Sequence, residues 1–130
     1  MVSFTPLSSG RRRTTLLVDD DRDVREMFRE ALRMEGFDVR TAVDGMMALW
    51  QIDQQLPDVI VLDLDLPGVS GVDFLKELRA RPDTALLPVI VVTGTDWEVP
   101  TGVSALLRKP VTPDTLVDLV GRAVMRLPLS

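Results

Sequence analysis

Hydrophobic positions along the chain fall into two kinds of run. Continuous apolar stretches at 59–62 and 89–92, and a β-type run at Thr14–Val18, are too short for helices. They read as strands, and those at 59–62 and 89–92 as strands buried on both faces, as in a parallel sheet. Between them apolar residues recur at helical spacing. Val24, Met27, Phe28, Ala31 and Leu32 share one face of a helix that starts at Arg22 and ends at Gly36. Residues 37–42 read as a second strand. Asp44 caps a helix whose inner side is Gly45, Ala48, Leu49 and Ile52, closed by Pro57. After the third strand, Pro67-Gly68 forces a turn. Ser70-x-x-Asp73 then resembles a capping box, opening a helix with Phe74, Leu75 and Leu78 inward. Pro88 introduces the fourth strand, which finishes on Thr93, and residues 104–107 predict a short fifth. Thr112-Pro113-Asp114 starts a last helix, Pro at its first position, burying Leu116, Val120, Ala123 and Val124 before Pro128.

Strands and helices therefore alternate, which predicts right-handed crossovers and one doubly wound α/β domain with a parallel sheet. No repeat, linker or low-complexity run divides it. One connection is short: ten residues, 94–103, separate Thr93 from Ser104. A parallel crossover needs at least about 10–12 residues. The helix between the fourth and fifth strands is thus expected to be missing or cut to one turn around 96–99. Trp97 either stands partly exposed on that remodelled face or folds down to fill the gap.

Polar groups end four of the five strands: Asp19 and Asp20, Asp63, Thr93 and, just past the fifth, Lys109. Parallel strands carry these ends to one sheet edge, where open α/β sheets bind ligands. Converging carboxylates repel and raise a pKa unless a cation sits among them. A hard oxygen-only ligand set suits Mg²⁺. A Thr hydroxyl and a Lys ammonium on the other flank are donors for an anion's oxygens, so the set reads as a phosphoryl cradle with a carboxylate nucleophile. Taken singly, an acidic run is usually a solvated helix start and a Lys-Pro a surface turn. Asp63, placed directly after four buried aliphatics, is harder to dismiss.

Composition narrows the chemistry further. With 130 residues, 45% hydrophobic and 27% charged, the chain is a globular domain with one core. Histidine and cysteine are absent, so thiol, imidazole and zinc–thiolate chemistry within the chain is excluded. The net charge of −5 argues against direct nucleic-acid binding. No apolar run is long enough for membrane insertion, and residues 1–14 lack the core of a signal peptide. Arg11-Arg12-Arg13 reads as part of a solvated tail, and the expected localisation is cytoplasmic.

Leu17-Val18-Asp19-Asp20-Asp21, Val61-Leu62-Asp63-x-x-x-Pro67-Gly68, Val92-Thr93-Gly94 and Arg108-Lys109-Pro110 together resemble the receiver domain of bacterial two-component response regulators, of the chemotaxis-regulator-like kind. The resemblance covers 14–127, with 1–13 and 128–130 as tails. It implies a flavodoxin-like five-stranded sheet, order 2-1-3-4-5, with helices on both faces. It also implies that Asp63 is the phosphoacceptor, taking a phosphoryl group from a partner sensor histidine kinase or phosphotransfer protein. Mg²⁺ would be held by Asp19, Asp20, Asp63 and the backbone carbonyl of Asp65. Thr93 and Lys109 would bind phosphoryl oxygens, and the Lys109-Pro110 bond would be cis, aiming the ammonium inward. Such a domain is a switch with slow self-dephosphorylation rather than an enzyme. It acts on a downstream protein as a monomer or weak homodimer. It is expected either to stand alone or to be a fragment of a longer regulator.

Two residues depart from or add to that pattern. The family's aromatic switch residue, three positions before the lysine, is Leu106 here, which puts its coupling to Thr93 in doubt. Asp65, two residues past the acceptor, is expected at the mouth of the site, where it would repel the phosphoryl group or orient water, or simply face solvent. Two other readings compete. One is a receiver-like binding module that no longer takes phosphate. The other is a haloacid-dehalogenase-like phosphatase, whose D-x-D motif Asp63-Leu64-Asp65 mimics, although that motif usually follows the first strand.

Overall fold

A computed structural model describes residues 12–94 and 102–125. In chain order the elements are β1 (Thr14–Val18), α1 (Arg22–Met34), β2 (Asp38–Ala42), α2 (Gly45–Gln54), β3 (Val59–Asp63), α3 (Gly71–Ala80), β4 (Val89–Thr93), β5 (Ala105–Arg108) and α4 (Pro113–Met125). The strands form one parallel sheet in the order β2-β1-β3-β4-β5, the doubly wound arrangement expected from the sequence. The shortened or missing helix expected around 96–99, Trp97, residues 1–11 of the N-terminal tail and all of the 128–130 tail lie outside the described residues.

The alternation of side chains along each strand splits the core into two layers. Leu16, Val18, Ile60, Leu62, Val89 and Val91 face α2 and α3, packing on Ala48, Ile52, Phe74, Leu75 and Leu78. Leu17, Val59, Val61, Ile90 and Val92 face α1 and α4, packing on Phe28, Leu32, Leu116 and Val120. Burial on both faces explains why β3 and β4 read as continuous apolar runs, and β1 is buried on both faces as well. β5, at the sheet edge, alternates half-buried and exposed. It also lies one residue later than the apolar run suggested, because the ladder carries Arg108 opposite Thr93.

Helix starts are set by short polar side chains. Asp21 accepts from the Asp23 and Val24 amides at 2.9 and 3.2 Å, Asp44 from Met47 N–H at 2.8 Å, and Ser70 from Asp73 N–H at 3.1 Å. Each such cap contributes about 1 kcal/mol. Gly36, at φ 97°, supplies the left-handed turn that ends α1, a conformation costly for any residue with a Cβ. Among the described residues no helix is long and apolar enough to cross a membrane.

Candidate functional site

Two strands deliver the three carboxylates. Asp63 is the last residue of β3, the central strand, and is 2% exposed. Its Oδ1 accepts the Asp65 N–H at 2.9 Å, which turns the chain out of the strand and fixes the carboxylate. Asp19, just past β1, is 3% exposed; its N–H donates to the Ala42 carbonyl at 3.1 Å and its Oδ1 accepts the Asp21 N–H at 2.9 Å. Asp20 beside it is exposed. One carboxylate oxygen from each of Asp19, Asp20 and Asp63 lies within 4.8 Å of the others.

Lys109 enters from the opposite flank. Its N–H donates to the Thr93 carbonyl at 2.9 Å, extending the β4–β5 ladder by one step. Its Nζ then lies 3.1 Å from Asp63 Oδ2 and 3.5 Å from Asp19 Oδ2. The Lys109-Pro110 peptide bond is cis, as the resemblance implied. Thr93 is fully buried at the end of β4, one strand over from Asp63. The five remote positions singled out in the sequence therefore meet at one rim.

The electrostatics of this rim are unbalanced. Burial pushes the Asp63 carboxyl above the ordinary carboxylate range, and the Asp19 charge adds to the rise, against the pull of the Asp65 N–H and Lys109. Asp19 is raised for the same reason, burial first, with Asp20 adding to it. Burial alone would lower the Lys109 ammonium, but its bond to Asp63 and the charges of Asp19 and Asp63 outweigh that and raise it. Three carboxylates against one ammonium leave the cluster two negative charges in excess. A hard divalent cation fits this oxygen-only set and offsets that excess.

Asp65 stands exposed at the mouth, and its amide donates to Asp63. Leu106 is 39% exposed on β5, paired with Val91, so the side chain in the switch position faces outward. Two contributors escaped the sequence reading. Arg25 Nη1 donates to the Asp19 carbonyl at 2.9 Å, but in sequence it is an ordinary polar position on α1. Gly71 packs against the turn after Asp63: a Cβ there would sit 2.5 Å from Leu64 Cα and 2.8 Å from the Asp63 carbonyl oxygen. Glycine at the first position of a helix following Pro67-Gly68 was the available sign of such close approach.

Comparison with known proteins bears on this geometry. The model of the response regulator receiver domain family matches residues 15–121. The sensory transduction protein RegX3 of Mycobacterium tuberculosis is 36% identical over 119 residues, covering 87% of this chain and 51% of its own length. The phosphate regulon transcriptional regulatory protein PhoB of Escherichia coli is 36% identical over 120 residues, covering 88% of this chain and 52% of its own. The chain thus spans about half the length of these relatives. Among solved structures, the chemotaxis response regulator CheY4 of Vibrio cholerae superposes with a TM-score of 0.80 at 28% identity, covering 87% of this chain and 99% of that one. A response regulator receiver domain protein from Clostridium thermocellum gives 0.78 at 27% identity, over 88% and 95%.

Proposed function

The chain belongs to the response regulator receiver domain family, and on that premise we propose that Asp63 is the residue through which it takes up and passes on a phosphoryl signal. The match along 15–121 leaves no support for a dehalogenase-type phosphatase. The donor is a phosphohistidine on a sensor kinase or phosphotransfer protein, since this chain has no histidine of its own. An Asp63 carboxylate oxygen attacks phosphorus, the P–N bond breaks, and the imidazole leaves with the electron pair and takes up a proton. Lys109, already 3.1 Å from Asp63, neutralises charge spreading over the phosphoryl oxygens. Thr93, at the end of the neighbouring strand, donates its hydroxyl to the product. Asp19, Asp20, Asp63 and the Asp65 carbonyl would hold Mg²⁺, which supplies further neutralisation of the phosphoryl oxygens when bound.

The product alters the surface by displacing the Lys109 and Thr93 contacts, which biases an existing equilibrium of the β4–β5 face. Leu106 is the side chain on that face positioned to change exposure. Asp65, at the mouth, sets the lifetime of the phosphoaspartate. The signal then goes to a downstream protein.

The observation that carries this reading is the Lys109–Asp63 contact within an acidic cluster whose oxygens lie inside 4.8 Å. Incubation with a small phosphodonor and Mg²⁺ should add one phosphate per chain, detected by mass spectrometry. Asp63→Asn should abolish it. Unchanged labelling in that variant would overturn the assignment, and multiple turnovers of a generic phosphatase substrate would overturn the non-enzymatic role. Absence of labelling in the parent protein would leave a binding module that has kept the fold.

A further inference from the structure

Lys109 reaches Asp63 because β5 runs in one register, and within the strand only Ala105 and Leu107, half-buried against the core, favour that register. β5 is a four-residue edge strand whose residues alternate between half-buried and exposed. Register is specified strongly only where one face of a strand is buried, since a slip by one residue exchanges faces. A slip here would carry Lys109 off the Thr93 carbonyl and its ammonium away from Asp63.

A single side chain fastens the other end of this strand pair. Arg79, in the last turn of α3, sends Nη1 to the carbonyls of Thr84, Ala85 and Leu87 at 3.3, 3.0 and 2.9 Å. Its Nη2 donates to the Gly102 carbonyl at 2.7 Å. Leu87 lies two residues before β4 begins, and Gly102 three residues before β5 begins. The planar guanidinium therefore bolts the starts of β4 and β5 together. Thr93 and Lys109 lie at the far ends of the same two strands. All four acceptors are backbone carbonyls, so the contact reads chain position rather than side-chain identity. Lysine, a point charge without the fork, cannot span them. Gly102 suits the arrangement: at φ 94° a side chain is strained, and its Cβ would lie 3.6 Å from Arg79 Nε.

We propose that Arg79 is a positioning residue that locks the register of β5 against β4 and so places Lys109 beside Asp63. The consequence for phosphorylation rests on the function proposed above; the register lock itself does not. Amide hydrogen exchange on the full chain, with no phosphodonor present, tests the lock. The reporters are the N–H groups of Ser104 and Lys109, bonded to the Val89 and Thr93 carbonyls; the controls are those of Asp19 and Asp38, bonded across β1 and β2. In Arg79→Met the two reporters should exchange at least about tenfold faster while the controls keep their rates. Arg79→Lys should behave like Arg79→Met, showing that the fork and not the charge matters. Gly102→Ala, a change at an exposed loop residue, should give the same pattern and serves if Arg79→Met does not fold. Unchanged reporters, or equal acceleration of reporters and controls, would overturn the lock. In a second arm, Arg79→Met should label on Asp63 about tenfold or more slowly with the same Mg²⁺ dependence. A parent protein that takes no label would sink the Asp63 reading while leaving the exchange result to judge Arg79.

Discussion

Asp63 occupies a place that a carboxylate dislikes. Burial and the Asp19 charge raise its pKa in the folded chain, so the native state binds this proton more tightly than the unfolded state. Stability then falls as pH climbs from the unfolded carboxylate value through the folded one, and the penalty is complete above it. In Mg²⁺-free buffer at neutral pH, Asp63→Asn should therefore raise the unfolding free energy. Urea melts should show the gain shrinking as pH drops below the folded pKa. Lys109 shares that direction of pH dependence but not its neutral-pH effect: its raised pKa means that it stabilises the fold at neutral pH and loses this as pH rises through the folded value, so Lys109→Met should destabilise at neutral pH. A second residue far from the rim is suboptimal for a plainer reason. The Thr15 hydroxyl is buried in β1 without a hydrogen-bond partner among the described residues, a burden of about 1–3 kcal/mol. Thr15→Val, which keeps the shape, should stabilise by about 1 kcal/mol in the same melts without changing Asp63 labelling.

At the scale of elements, the turn between β3 and α3 fixes where the acceptor points. Gly71 N–H donates to the Leu64 carbonyl at 3.3 Å, and the glycine leaves no room for a Cβ against the Leu64 backbone. Gly71→Ala must push this backbone outward. It should cost about 1–3 kcal/mol by overpacking. Because the displaced carbonyl belongs to Asp63, labelling should slow as well, a pairing that a remote destabilising variant of equal cost would not show. Thermal melts and phosphodonor kinetics on the same sample check both. The extents of β1, β3 and β4, to within a residue, and the start of α2 were legible from residue runs and caps, because both-face burial and N-cap chemistry are local signals. β5 was legible as a strand but one residue too early. An edge strand with one half-exposed face carries a weak pattern, and the partner β4 sets where it starts and stops.

For the whole molecule, the cluster's excess of negative charge predicts that metal and folding are coupled. An ion that binds only the native state stabilises by mass action, about 2.7 kcal/mol at 100 times its Kd. Mg²⁺ should raise the melting temperature, EDTA should reverse the rise, and Asp19→Asn should largely remove it. The sequence by itself determined the strand–helix alternation, the parallel sheet and the identity of the rim residues, because hydrophobic period and strand-end position are properties of neighbours along the chain. It could not determine the 3.1 Å approach of Lys109 to Asp63, the close packing of Gly71 on Leu64, or the grip of Arg79 on Gly102. Those depend on residues brought together from distant parts of the chain. Only the packed sheet and its crossovers set such distances, and only there does burial turn ordinary carboxylates into a strained, cation-seeking pair.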